Sequence, residues 1–98
     1  SSLKISPLEQ VNVLSQIFEE DTTYNKEQLN ILKSIMLADD STENKIYGKT
    51  GTFGTHKGWF VGFCEIYTQK RYFAIYLSDK KHKATGKVAK QIAIQLMK

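Results

Sequence analysis

Tyr47-Gly48-Lys49-Thr50-Gly51-Thr52 leads, through a link containing Gly54, into Gly58-Trp59-Phe60-Val61-Gly62-Phe63-Cys64. Both segments are rich in aromatic and β-branched residues, the composition of strands. Working outward, strands are expected over Lys45–Thr52, Trp59–Tyr67 and Arg71–Leu77, the last two joined by Thr68-Gln69-Lys70. Alternation sends Trp59, Val61, Phe63 and Tyr67 to one face and Phe60, Gly62, Cys64 and Ile66 to the other. Neither face is polar, so the sheet should be covered on both sides.

The flanking segments change to helical period. Ser6, Pro7 and Glu9 form an N-cap, a first-turn proline and a capping-box carboxylate, so a helix is expected over Pro7–Glu19. Its apolar face is Leu8, Val11, Leu14, Ile17 and Phe18. A second helix starts at Asn25, with Gln28 three residues on, and buries Leu29, Leu32, Ile35 and Met36. Ala38–Asn44 reads as a polar turn region. A last helix takes Thr85 as cap and Val88, Ile92 and Leu96 as its inner stripe. The fold class is α+β, an antiparallel sheet of about three strands flanked by helices.

Composition bounds the function. Ninety-eight residues make one small region, 41% hydrophobic and 24% charged, in the range of globular chains. The longest apolar run, around Trp59–Cys64, is far short of the roughly 20 residues of a membrane span. A single cysteine, Cys64, forms no internal disulfide, and with two distant histidines it builds no metal site. It reads as a buried, inert thiol. His56 and His82 read as solvated loop residues, so neither metal nor cofactor is expected. The net charge of +4 is concentrated late, in Lys80, Lys81, Lys83, Lys87 and Lys90. A basic sheet module stacking bases on Trp59, Phe60, Tyr72 and Phe73 is one reading of these residues. The aromatics fall on both faces, however, which suits a core better, and no nucleic-acid partner is expected.

Gly48-Lys49-Thr50 is not the end of a phosphate-binding loop. That motif needs a glycine where Glu43 stands, and a helix where a second strand follows. Lys49-Thr50-Gly51 instead resembles the Lys-Thr-Gly strand of penicillin-recognising serine enzymes. Ser2–Val11, Tyr47–Thr52, Gly58–Phe63, Tyr72-Phe73-Ala74 and Leu77-Ser78-Asp79 follow one another as landmarks similar to those of class D β-lactamases and BlaR/MecR-type penicillin-sensing receptors.

The resemblance implies covalent capture of a β-lactam by an active serine, and it assigns roles to this strand. Lys49 supplies positive charge to the substrate carboxylate or to a proton-transfer network. Gly51 leaves room for a ligand along the strand, the Thr52 N–H faces an oxyanion, and Thr50 or Thr52 donates a hydroxyl to the carboxylate. Trp59 is core or site wall.

The family's nucleophile, a Ser-x-x-Lys serine at a helix head, precedes these landmarks. The literal matches Ser1–Lys4 and Ser78–Lys81 lie in the wrong settings, and acyl transfer needs an activated nucleophile. Residues 1–98 are therefore expected to be the C-terminal portion of a penicillin-binding domain, without its nucleophile-bearing part and not catalytic alone. A sensor domain is favoured over a hydrolase, because no arginine occupies Lys80–Lys90 and the opening and closing segments look more like the receptors. Membrane attachment would come only through a parent receptor, with the domain on the extracytoplasmic side. A β-lactamase would be secreted. The free sheet edge and unbalanced core also call for more of the same chain or for a second copy, including an inactive oligomerising remnant.

Overall fold

A computed structural model describes residues 6–20, 23–41 and 43–97. Its elements are α1 (Pro7–Ser15), a π-helical turn (Gln16–Glu20), α2 (Lys26–Met36), β1 (Leu37–Asp39), β2 (Lys45–Phe53), β3 (Lys57–Ile66), β4 (Gln69–Ser78) and α3 (Gly86–Met97). The sheet has four antiparallel strands in the order β1-β2-β3-β4. No helix is long and apolar enough to cross a membrane among the described residues.

Both expected capping boxes form. Ser6 Oγ accepts from the Glu9 N–H at 3.1 Å while Glu9 Oε1 accepts from the Ser6 N–H at 3.0 Å. Asn25 and Gln28 make the same reciprocal pair at 2.8 and 2.9 Å. Each box satisfies donors that a helix start otherwise leaves unpaired. The first helix does not run as one α-helix to Glu19; its last turn widens to π-helical form.

Helices cover both sheet faces. Trp59 and Val61 pack on Val11 of α1, while Tyr47 and Phe63 pack on Phe18 of the π turn and on Leu32 and Met36 of α2. On the other face Ile46, Phe60 and Cys64 pack on Ala89 and Ala93 of α3. The alternation along β3 is as the sequence predicts, except that Tyr67 is outside the strand. It occupies the two-residue β3–β4 turn with φ 58° and is 87% exposed. Positive φ at the first turn residue is the habit of a type II′ turn, a place where glycine is usual.

Three other expectations are corrected. The segment Ala38–Asn44 is not all turn: Leu37–Asp39 pairs with Ile46 and Tyr47 as a fourth, short strand. Its polar neighbours hide the strand, because an edge strand needs little apolar content. Ile35 is not buried but 76% exposed, since α2 meets the sheet through Leu32 and Met36. The inner stripe of α3 is Ala89 and Ala93, with Leu96 67% exposed. The small alanines let the helix backbone approach the large rings of β3, which Leu at those positions would hold off.

Candidate functional site

β1 pairs with β2 only at Ile46 and Tyr47. From Gly48 onward, the outer edge of β2 faces no other described strand, and this is the Lys49–Thr52 segment. Unpaired N–H and C=O groups along such an edge are open to an extended ligand. The opposite edge of the segment is fully paired with β3, through Lys49–Val61, Thr50–Phe60, Gly51–Trp59 and Thr52–Gly58. The sheet thus holds the strand straight while leaving one side free.

Alternation divides the segment. Lys49 is exposed, on the Trp59–Val61 face, and no carboxylate pairs with it among the described residues. Thr50 is half-buried on the α3 face, and Thr52 is exposed at the strand end, where Oγ1 accepts from the Gly86 N–H at 2.8 Å. Gly51 has a structural role that the spacing does not reveal. A Cβ there would stand 2.1 to 2.3 Å from the Trp59 indole, so the absent side chain is what allows the indole to lie across the strand. Trp59 is only 8% exposed, held between Gly51 and Val11. The structure therefore brings Lys49, Thr50, Gly51, Thr52 and Trp59 together on two adjacent strands.

Sequence reasoning placed Thr85 as the helix cap, where its Oγ1 accepts from the Val88 N–H at 3.3 Å, but missed how the Thr85–Gly86 backbone meets the strands. A Cβ on Gly58 would lie 2.1 Å from the Thr85 carbonyl carbon, and one on Gly86 would lie 2.7 Å from the Gly51 carbonyl oxygen. The start of α3 is thus interlocked with the strand pair. Glycine at the first position of a helix, a costly residue for helix formation, was the available signal.

The basic loop is tied to the same end of the sheet. The Asp79 N–H donates to the His56 carbonyl and the Ala84 N–H to the Thr55 carbonyl, both at 2.9 Å. Asp79 Oδ1 accepts from the N–H groups of Lys81 and His82, and these bonds hold its carboxyl below the ordinary range. Lys80, Lys81, Lys83 and Lys87 are exposed. Ser78 ends β4 and is also exposed, so the Ser78–Lys81 match lies in a strand end and loop. The match Ser1–Lys4 and the landmark residues Ser2–Ile5 lie outside the described residues.

The far end of the sheet carries a separate ion network. Lys33 Nζ meets Glu65 Oε1 at 2.9 Å and Oε2 at 3.1 Å, and Lys70 Nζ lies 3.5 Å from Glu65. Tyr72 donates to Glu19 at 2.8 Å. Burial works against the Glu65 carboxylate, but the Lys33 hydrogen bond and the Lys33 and Lys70 charges prevail and lower its pKa. Burial, then the bond to Glu19, pushes the Tyr72 hydroxyl up. Cys64 is buried and its thiol is pushed up by desolvation, the state of an inert core cysteine.

Comparison with known proteins agrees with this architecture. The chain is 40% identical over 101 residues to the regulatory protein BlaR1 of Staphylococcus aureus, covering 99% of this chain and 17% of that protein. It is 35% identical over 100 residues to the probable β-lactamase YbxI of Bacillus subtilis, covering 100% of this chain and 36% of that one. The crystal structure of a class D β-lactamase from Bacillus subtilis superposes with a TM-score of 0.78 at 34% identity, over 98% of this chain and 39% of the enzyme. The chain thus spans well under half the length of these relatives. The penicillin binding protein transpeptidase domain matches residues 1–98. A match over every residue, carried by a sheet and helices that superpose on class D enzymes, makes this chain a member of the penicillin-binding protein transpeptidase domain family.

Proposed function

We propose that the chain recognises β-lactams as the C-terminal portion of a BlaR/MecR-type antibiotic-sensing domain. It supplies the Lys-Thr-Gly strand, and the acylated serine comes from the part of the domain outside residues 1–98. The observation that carries this reading is the edge of β2 that no described strand covers from Gly48 onward, with the exposed Lys49 ammonium beside it. A β-lactam laid along that edge would meet groups from both sheet faces, Lys49 from one and the Thr50 and Thr52 hydroxyls from the other. Lys49 supplies positive charge, the hydroxyls of Thr50 and Thr52 supply donors for a carboxylate, and the Thr52 N–H supplies a donor for an oxyanion. Trp59 backs the strand at Gly51 rather than facing the ligand in the open.

In this reading Lys49 is the catalytic residue that the chain contributes, and Thr50, Gly51, Thr52 and Trp59 form the binding wall. The domain lies on the extracytoplasmic side of the membrane, where the antibiotic arrives. Exposed Ile31, Ile35 and Leu37, with the free edge of β4, are covered by the remainder of the domain or, in its absence, by a second copy.

A second reading, the C-terminal part of a class D β-lactamase, is favoured by the solved structures that resemble the chain. The two differ in the fate of the acyl bond, which persists in a sensor and is cleared by water in a hydrolase. The test is intact mass after incubation with a labelled penicillin, of the chain alone and with a serine-bearing N-terminal part. An adduct on the N-terminal part, formed only when both are present, is the expected result. A lifetime beyond the cell-division scale marks a sensor, and rapid turnover marks a hydrolase. An adduct on this chain alone, or none in a folded assembly, overturns the reading; the latter result marks an inactive remnant.

A further inference from the structure

Thr52 closes the candidate strand, and the orientation of its hydroxyl is set by α3. The Gly86 backbone N–H donates to Thr52 Oγ1 at 2.8 Å. That bond occupies an acceptor lone pair, so the single hydroxyl proton is left for another acceptor. Gly86 is the first residue of α3 and one of the helix N–H groups with no partner inside the helix. The partial positive charge at that end strengthens the hydroxyl as a donor.

No other residue fits at 86. A Cβ would lie 2.7 Å from the Gly51 oxygen, 2.9 Å from the Gly51 nitrogen and 2.9 Å from the Thr50 Cβ, all atoms of the candidate strand. Gly58 admits the helix from the β3 side, and Thr85 Oγ1 caps it by accepting from the Val88 N–H at 3.3 Å. The first turn of α3 is therefore fixed on the strand pair, and its N–H is held on Thr52.

We infer that Gly86 is a positioning residue, which fixes the Thr52 hydroxyl as a donor toward the carboxylate of the ligand and so favours the free acid over its ester. The choice of ligand rests on the β-lactam reading above; the Gly86–Thr52 bond does not.

Two measurements test the two halves separately. In the chain itself, amide exchange at Gly86 is followed by NMR in the unaltered protein, Thr52→Ser and Thr52→Val. Exchange should stay slow with serine and accelerate about tenfold or more with valine, the scale of one lost hydrogen bond. Unchanged exchange in the valine variant overturns the bond.

In the assembly with the serine-bearing part, capture rates are compared for a penicillin and its methyl ester. Thr52→Val and Gly86→Ala should slow the acid about tenfold more than the ester, the scale of a hydrogen bond to a charged group, while the strain of a Cβ at 86 slows both substrates further in the second variant. Thr52→Ser, which keeps the hydroxyl, should retain the acid-over-ester preference of the unaltered protein. Equal losses on acid and ester reduce Gly86 to a merely structural role and overturn the inference. Absence of any adduct in the unaltered assembly overturns the ligand reading and the carboxylate preference with it, while the exchange result still judges the bond.

Discussion

At the residue scale, two neighbours on β2 divide chemistry from packing. Lys49 is exposed and has no carboxylate partner among the described residues, so its removal should cost little stability. Lys49→Ala is expected to lower penicillin capture in the assembly by about a hundredfold, the scale of losing one transition-state charge stabiliser. Urea unfolding should leave its midpoint near that of the unaltered chain, and a large midpoint shift would make Lys49 structural instead. Gly51 is the converse. Alanine there meets the Trp59 ring at 2.1 to 2.3 Å, a collision that displaces the indole from Val11. Gly51→Ala should destabilise the chain by about 2 kcal/mol through overpacking, read from the same urea curves. Lys-Thr-Gly was legible in the sequence as a motif, because residue types and order are local facts. The reason for its glycine was not, because it depends on a ring eight residues away brought opposite by the hairpin.

At the element scale, the starts of the helices were readable and their facing residues less so. A capping box is a four-residue pattern, and both boxes form where the sequence places them. Which side of α3 faces inward depends on how closely it approaches the sheet, and Ala89 and Ala93 won because their small volume allows contact with Phe60 and Cys64. Gly58 governs that approach at the helix start. Gly58→Ala sets a Cβ against the Thr85 backbone, which has no rotamer to yield, and should cost about 3 kcal/mol in unfolding measurements. Gly54→Ala in the adjoining turn meets no atom within 4 Å and pays only for its φ of 63°, about 1 kcal/mol.

The ion network joins α2, β3, β4 and the π turn in a pH-dependent way. The Glu65 carboxyl, lowered from its ordinary 4.5 in the folded chain, contributes stability that is present above that value. This contribution is lost as pH falls through the folded pKa. Urea midpoints between pH 6 and pH 3 should therefore drop less steeply in Glu65→Gln than in the unaltered chain. Equal slopes would show that Glu65 carries no pH-dependent stability.

At the scale of the whole molecule, charge and apolar exposure are both uneven. Residues 80–98 carry six lysines and no acid, whereas residues 1–79 carry eight basic and ten acidic residues. Five of these lysines lie in α3 and the loop before it, and α3 is on the opposite sheet face from α1 and α2. Exposed Ile31 and Ile35 lie on α2, and Tyr76 lies on edge strand β4. Sedimentation of the isolated chain should give a mass above its 11.2 kDa at micromolar concentration, and adding the serine-bearing part should replace that species with a heterodimer. A strict monomer across that range would show that these surfaces drive no association.

The sequence by itself determined the α+β class, three of the four strands, both capping boxes and the Lys-Thr-Gly segment, since each is written in local order and period. Only the tertiary structure decided that Leu37–Asp39 joins the sheet, that Ala89 and Ala93 face inward, and that Gly51, Gly58 and Gly86 are needed for backbone and ring approach. Those outcomes follow from distances between segments far apart in the chain, which no local pattern encodes.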